Sequence, residues 1–154
     1  MKYQGVCIAV KDVCLSKKFY QDLFGLEVFQ DYGINISFGG LSLQQEFGRL
    51  LGLPKKSVLK KSHNMELYFE EDEFDSFISK LEQRDDIKYV GDGVNKAGWG
   101  QRSIRFYDLD GHIIEVGENM KMVVKSFLDS GMSMVETSKR MDVSVSDLET
   151  LLKS

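Results

Sequence analysis

The chain has 154 residues, 42% hydrophobic and 29% charged, with a formal net charge of −4. This is length for one domain with a core and little more, and the acid excess excludes a general affinity for nucleic acid or for an acidic membrane surface. Two cysteines, Cys7 and Cys14, exclude a disulfide framework and a cysteine metal site, and no apolar run is long enough for a bilayer; reduced thiols without an apolar leader fit a cytoplasmic protein.

In chain order, Val6, Ile8 and Val10 alternate as one face of a strand. Asp12 or Ser16 then precedes a helical pattern in which Phe19, Tyr20, Leu23 and Phe24 recur, with Gly25 placed to end it. Leu26–Gln30 reads as a second strand, and Asn35–Phe38 with Leu41–Gln44 as a hairpin about Gly39-Gly40. Residues 47–62, with the only proline and four lysines, read as a surface linker or lid. The pattern then returns. Met65, Leu67 and Phe69 share a strand face, Asp72 or Asp75 leads a helix with Phe74, Phe77, Ile78 and Leu81, and Ile87–Val90 is a short strand followed by a glycine-rich loop.

The stretch from Gly98 to Gly117 reads as a further hairpin. Ile104 and Phe106 alternate with Ser103, Arg105 and Tyr107; Asp108-Leu109-Asp110-Gly111 makes the turn; Ile114 and Val116 alternate with Ile113 and Glu115. Glu115 is an acid inside an apolar strand. Either it is a solvated edge residue, or its face is buried and the carboxylate requires a cation or a hydrogen-bond donor. The order β-α-β-β-β thus occurs twice, and two such sheets, each covered on one face by its helix, can enclose a cavity between their opposite faces.

These two halves, closed by Arg105-Phe-Tyr-Asp-Leu-Asp-Gly-His-Ile-Ile-Glu-Val116, resemble the vicinal oxygen chelate superfamily of glyoxalase I, bleomycin-resistance proteins and extradiol dioxygenases. Asp12, Ser16, Phe19-Tyr20 and Leu23-Phe-Gly-Leu26 support it in the first half; Glu66–Glu70, Phe74-Asp75, Trp99-Gly100 and the Asp-x-Asp-Gly turn support it in the second. Leu109 stands where the family usually has proline. The resemblance covers roughly residues 3–118. It implies an α+β fold of two βαβββ modules over residues 1–118, with 119–154 a helical C-terminal extension, and assembly as a homodimer.

The family builds a divalent metal site from two strands of each half. On that resemblance Glu115 falls on the carboxylate ligand and Gln44 on its first-half counterpart, so these two are the expected metal ligands. The other two positions fall on Gly5 and Asn64, where the family has His or Glu. His63, by strand parity, faces away from Asn64, Glu66 and Tyr68. One carboxylate and two amides are poor ligands for a transition metal, so a divalent metal is implied by the family and opposed by the residues. Glu66 shares the face of Asn64; it either supplies a second carboxylate or pairs with Arg102 or Arg105. In glyoxalase I the metal acts as a Lewis acid while a carboxylate moves a proton. If this chain is an enzyme of that lyase or isomerase type, Glu115 is the catalytic base, Gln44 assists, and Arg102 or Arg105 orients the substrate. The alternative is a non-catalytic protein that binds or sequesters a small molecule. Tyr68, Trp99 and Tyr107 either stack on that ligand or serve packing, Asn35 and Ser37 face the expected cavity, and His112 suits a hydrogen-bonded structural role.

Beyond the hairpin, Met122–Leu128 reads as an amphipathic helix ended by Gly131. Residues 133–152 read as two more short helices, and the segment Gly131–Ser144 resembles the helix-turn-helix of transcription regulators. Lys121, Lys125, Lys139, Arg140 and Lys153 are balanced by Asp129, Glu136, Asp142, Asp147 and Glu149, and the second helix carries acids where a DNA reader carries bases. The expected partners are therefore a small-molecule ligand and a second copy of the chain, not nucleic acid or membrane. The helices are expected to pack on the main domain or a partner subunit, with Met132, Met134 and Met141 filling contacts.

Overall fold

A computed structural model describes residues 1–154. The chain divides into two compact units, Met1–Met65 with Tyr107–His112, and Glu66–Phe106 with Ile113–Ser154. No helix is long and apolar enough to cross a membrane. The fold is α+β with two sheets and a helical C-terminal region, as the sequence leads one to expect.

In the first unit β1 (Val6–Val10) is followed by α1 (Val13–Phe24), β2 (Gln30–Asp31), β3 (Asn35–Ser37), β4 (Leu41–Gln45) and the short α2 (Phe47–Leu50). The helix starts where its free N–H groups find an acceptor: Asp12 Oδ1 takes those of Cys14 and Leu15, each at 3.0 Å. It stops where Gly25 turns left-handed. The sheet order is β1-β4-β3-β2, with β1 parallel to β4. Register pairs Ile8 with Leu43 on the buried face and Ala9 with Gln44 on the other. The second strand is shorter and later than the apolar residues of 26–30 suggest. It pairs only Gln30 with Ser37 and Asp31 with Ile36, because the three residues of β3 offer nothing longer to pair with. Residues 47–62 are mostly irregular and exposed, with α2 as their one regular turn.

The turn after the last long hairpin arm also belongs to this unit. Tyr20 Oη donates to Asp108 Oδ2 at 2.8 Å, and the N–H groups of Asp110 and His112 donate to Asp108 Oδ1 at 2.9 and 2.8 Å. One buried carboxylate thus fixes both the turn and the helix.

The second unit repeats the plan. It holds β5 (Glu66–Glu71), α3 (Phe74–Glu82), β6 (Lys88–Tyr89), β7 (Asn95–Lys96), β8 (Arg102–Tyr107, all but its last residue) and β9 (Ile113–Glu118). The order β5-β9-β8-β6, with β5 parallel to β9, matches that of the first sheet element for element, and β7 adds to β8. Two details differ from expectation. Neither Asp72 nor Asp75 caps α3; Glu73 holds the cap position without a side-chain bond, while Glu71 Oε1 accepts the Glu73 N–H at 2.9 Å. Met65 lies outside β5 and is exposed, because the strand begins one residue later. Leu67, Ile104, Phe106, Ile114 and Val116 form the buried face of the sheet, and Phe77 of α3 packs on Phe106 with ring centroids 6.4 Å apart.

The helices α4 (Met120–Asp129), α5 (Met134–Met141) and α6 (Val145–Lys153) complete this unit. They carry a small core of their own, Val123, Val124, Met141 and Leu148, with Met134 packed against it. Ser133 and Glu136 form a reciprocal capping box at the start of α5, and Ser144 caps α6. Between them Asp142 takes a left-handed conformation and ends α5.

Candidate functional site

Strand parity places the candidate residues of the second unit on two different faces. Glu66, Tyr68 and Glu70 of β5 point away from α3, and register sets Tyr68 beside Glu115. Arg105 of β8 reaches the same face. Its Nη2 ion-pairs with Glu115 Oε2, and its Nε stands 3.6 Å from Glu66 Oε2. The Glu115 side chain is only 10% exposed, against 43% for Glu66, so the inner carboxylate is the desolvated one. Oε2 is buried, and no hydrogen-bond donor is in line with it despite the ion pair. Burial pushes the Glu115 carboxyl up; the charge of Arg105 opposes this, and the neighbouring Glu66 charge reinforces it.

Gln101 is a residue that the sequence reading missed. It is buried, and its Nε2 donates to Tyr68 Oη at 2.9 Å and to the Glu118 carbonyl at 2.8 Å. Tyr68 in turn donates to Glu70 Oε1 at 3.1 Å. Parity was the available signal, since Gln101 stands two before Ser103 and four before Arg105. Trp99 is 48% exposed and donates to Gln101 Oε1 at 3.3 Å, at the margin of this group.

Arg102 lies on the other face. It is bound to Asp75 of α3 at 2.7 Å and to Glu118 Oε1 at 2.6 Å, with its guanidinium 5.0 Å from the Phe74 ring centre. The structure brings Arg105, Glu66, Tyr68 and Glu115 together and leaves Arg102 on the helix side. There the Glu118 carboxyl is held below its ordinary value: burial pushes it up, and hydrogen bonds and charge from Arg102 outweigh that. Glu115, also paired with an arginine, is shifted the opposite way.

The remaining candidates belong to the first unit. Gln44 spends its amide within the sheet. Its Oε1 accepts from Asn35 at 2.7 Å, and its Nε2 donates to the carbonyls of Ile34 and Gln45 at 3.0 and 2.8 Å. Asn64 is exposed and accepts from Ser62 at 2.9 Å. Tyr107 is engaged by His63 Nε2 at 2.6 Å and by Lys61 Nζ 4.6 Å above its ring. His63 therefore has a partner, although it is exposed. The face of this sheet away from α1 bears a depression of about 630 Å³, lined by Tyr3, Cys7, Phe29, Tyr32, Asn35 and Ser37 among others.

A model of the glyoxalase-like domain matches residues 3–121. The chain belongs to the glyoxalase-like family. Among solved structures, a protein of unknown function from Agrobacterium tumefaciens str. C58 is 31% identical, with a TM-score of 0.65 over 77% of this chain and 94% of that one. A glyoxalase/bleomycin resistance protein/dioxygenase family enzyme from Burkholderia phytofirmans PsJN is 15% identical, with a TM-score of 0.63 over 77% and 98%. A lactoylglutathione lyase from Agrobacterium tumefaciens is 20% identical, with a TM-score of 0.53 over 77% and 94%. A search of curated proteins found no match to this chain. The match agrees with the resemblance of both halves to the vicinal oxygen chelate superfamily.

Measured against what a glyoxalase-like metal site requires, the donor set fits poorly. No group of three or more His, Cys, Asp or Glu is arranged to hold a metal ion. At Gly5 even a β-carbon would stand 2.0 Å from the Gly40 carbonyl oxygen, with a backbone φ of +127°, so no ligand side chain fits that position. Gln44 has its amide committed, and Glu115 already faces an arginine.

Proposed function

We propose that this glyoxalase-like protein binds a small organic molecule against the face of the second sheet turned away from α3, with Glu115 as its polar anchor and without a resident metal. The observation that carries the reading is the buried Glu115 Oε2, which meets a cation and no in-line donor. A carboxylate this buried carries a desolvation cost that one guanidinium offsets in part, and a donor on a ligand relieves more of it. The contrast with Glu118 supports this. An ion pair formed for stability holds its carboxyl down, as Arg102 does to Glu118; Glu115 is pushed up despite its arginine. Tyr68 and Arg105 flank the anchor as further contacts.

A second reading, proton transfer by Glu115 in a lyase- or isomerase-type step, is favoured by the same upward shift, which brings a carboxylate nearer to base strength at neutral pH. Arg105 would then orient an anionic group of the substrate. The reading includes a homodimer, the assembly usual in the family.

A thermal-shift screen of small organic molecules against the full chain and Glu115→Gln tests the binding reading. A ligand at one hundred times its Kd stabilises the native state by about 2.7 kcal/mol, and this gain is expected to vanish in the variant. Metal analysis of protein purified without chelators is expected to give well under one divalent ion per chain. A stoichiometric ion, lost in Glu115→Ala, would instead support the metal-dependent lyase, as would formation of lactoylglutathione.

A further inference from the structure

We propose that the first unit carries a second binding site, for a small organic anion: an apolar body ending in a phosphate or carboxylate. This goes beyond the Glu115 reading and shares no residue with it. The site is a cleft of about 430 Å³ where α2 and residues 58–60 stand over the ends of β1 and β4 beside the 110–112 turn. That volume suits a small organic molecule.

Its lining divides by chemistry. Val10, Phe47, Val58 and Leu59 supply the apolar part. Lys11, Arg49 and Lys60 supply cations and His112 an imidazole, against only Glu46 and Asp110. Both acids are already committed. Glu46 Oε2 takes the Arg49 Nε at 2.8 Å, and Asp110 takes the Lys11 N–H at 3.0 Å and the Ser16 hydroxyl at 3.4 Å. The Lys11 and Lys60 ammonium groups form no salt bridge. Arg49 is neutralised by Glu46 and Asp110 keeps its charge, which leaves Lys11 and Lys60 as the two ammonium groups an anion can draw on, in a chain whose net charge is −4.

His112 is the built part of the site. Its Nδ1 is tied to Asp108 Oδ2 at 2.8 Å, and that carboxylate is fixed by the Tyr20 hydroxyl and two backbone N–H groups. The arrangement orients the ring and leaves Nε2 as the nitrogen available to a ligand. Burial works against the imidazolium, and the bond and charge of Asp108, with the charge of Asp110, outweigh it. Lys60 and Arg49 stand on the segment over the cleft, so an anion bound below them meets cations from both walls.

The probe is 1-anilinonaphthalene-8-sulfonate, an apolar body with one anionic group, with uncharged N-phenyl-1-naphthylamine as its neutral counterpart. Fluorescence titration of the full chain at pH 7 is expected to give one sulfonate site, weakened at least tenfold by Lys60→Glu and a few-fold by Lys60→Gln. The neutral probe should bind both variants as it binds the parent. Lys60 is exposed, so the variants are expected to keep the parent melting temperature. At matched ionic strength, displacement by inorganic phosphate assigns a phosphoryl head, and displacement by acetate a carboxylate. Unchanged sulfonate affinity in Lys60→Glu, equal losses for both probes, or displacement by neither anion overturns the proposal. The Glu115→Gln variant is expected to leave this titration unaltered, which separates failure here from failure of the first reading.

Discussion

At the residue scale, Glu115 and His112 are shifted for opposite reasons, and their pH signatures differ accordingly. Glu115 has its carboxyl raised first by burial. Below its raised value the folded state binds the extra proton and is favoured; as pH climbs through that value the stability falls. Glu115→Gln removes this loss, so the variant is expected to melt no lower than the parent at pH 7.5 while losing ligand-induced stabilisation. Scanning calorimetry at pH 4 and 7.5 checks it, and a large fall at pH 7.5 would mark Glu115 as a stabilising ion-pair partner instead. His112 titrates above 6.5 because Asp108 outweighs burial, and Asp108 titrates below 3.8 because His112, backbone N–H and Tyr20 bonds outweigh its own burial. The histidine contribution is full below 6.5 and fades as pH rises through the raised value; the aspartate contribution is full above 3.8 and fades as pH falls through the lowered one. The pair therefore stabilises most in mild acid. The melting gap between the parent and His112→Gln, about 2 kcal/mol for a charged hydrogen bond, is expected to be widest near about pH 5–6 and to narrow above neutrality. Gly5 gives a prediction of another kind. Its β-carbon would overlap the Gly40 carbonyl at positive φ, so Gly5→Ala is expected to cost about 4 kcal/mol or more and to fail to give a normal melt.

At the element scale, the C-terminal helices are fitted to the loop that carries Trp99. A β-carbon on Gly100 would stand 2.4 Å from the Phe127 ring, and Arg140 reaches the Gly98 carbonyl while its guanidinium lies 5.9 Å from the centre of the Phe127 ring. Gly100→Ala is expected to destabilise by about 2–3 kcal/mol through overpacking and its φ of +99°, and Phe127→Ala by about 3 kcal/mol. Because they share one clash, the double variant should lose clearly less than the sum, which a denaturant double-mutant cycle measures. No periodicity announces such a fit. What the sequence made legible is what one element fixes alone: the alternation in β1, β4, β8 and β9, the Asp12 and Gly25 caps of α1, the Gly111 turn and the doubled βαβββ order. Arg102 was legible too, since alternation sets it with Ile104 and Phe106; reading it as a ligand contact weighed its chemistry above its parity. Parity places Gln101 on the face of Arg105, but its partners, like the commitments of Gln44 and Tyr107, were not legible, because each depends on what another strand or loop brings alongside.

At the scale of the whole molecule, the two sheets share one strand order, and the family model ends at residue 121, leaving most of α4 and all of α5 and α6 beyond it. Those helices have their own apolar cluster, yet they belong to the second unit through the contacts at Gly98 and Gly100. A chain ending at Asn119 keeps every strand and the buried faces of both sheets. It loses the ring that Gly100 is shaped to receive and the bond to the Gly98 carbonyl. Such a chain is expected to retain its far-ultraviolet circular dichroism strand signal and to melt several degrees lower, since about 1 kcal/mol moves the midpoint of a domain this size by a few degrees. Trp99 is the only tryptophan, so its emission reports this loop alone and should shift to the red. An unshifted emission with an unchanged melting point would show that the helices do not hold the loop. Wholesale loss of the strand signal would show that the extension is part of what folds the second sheet.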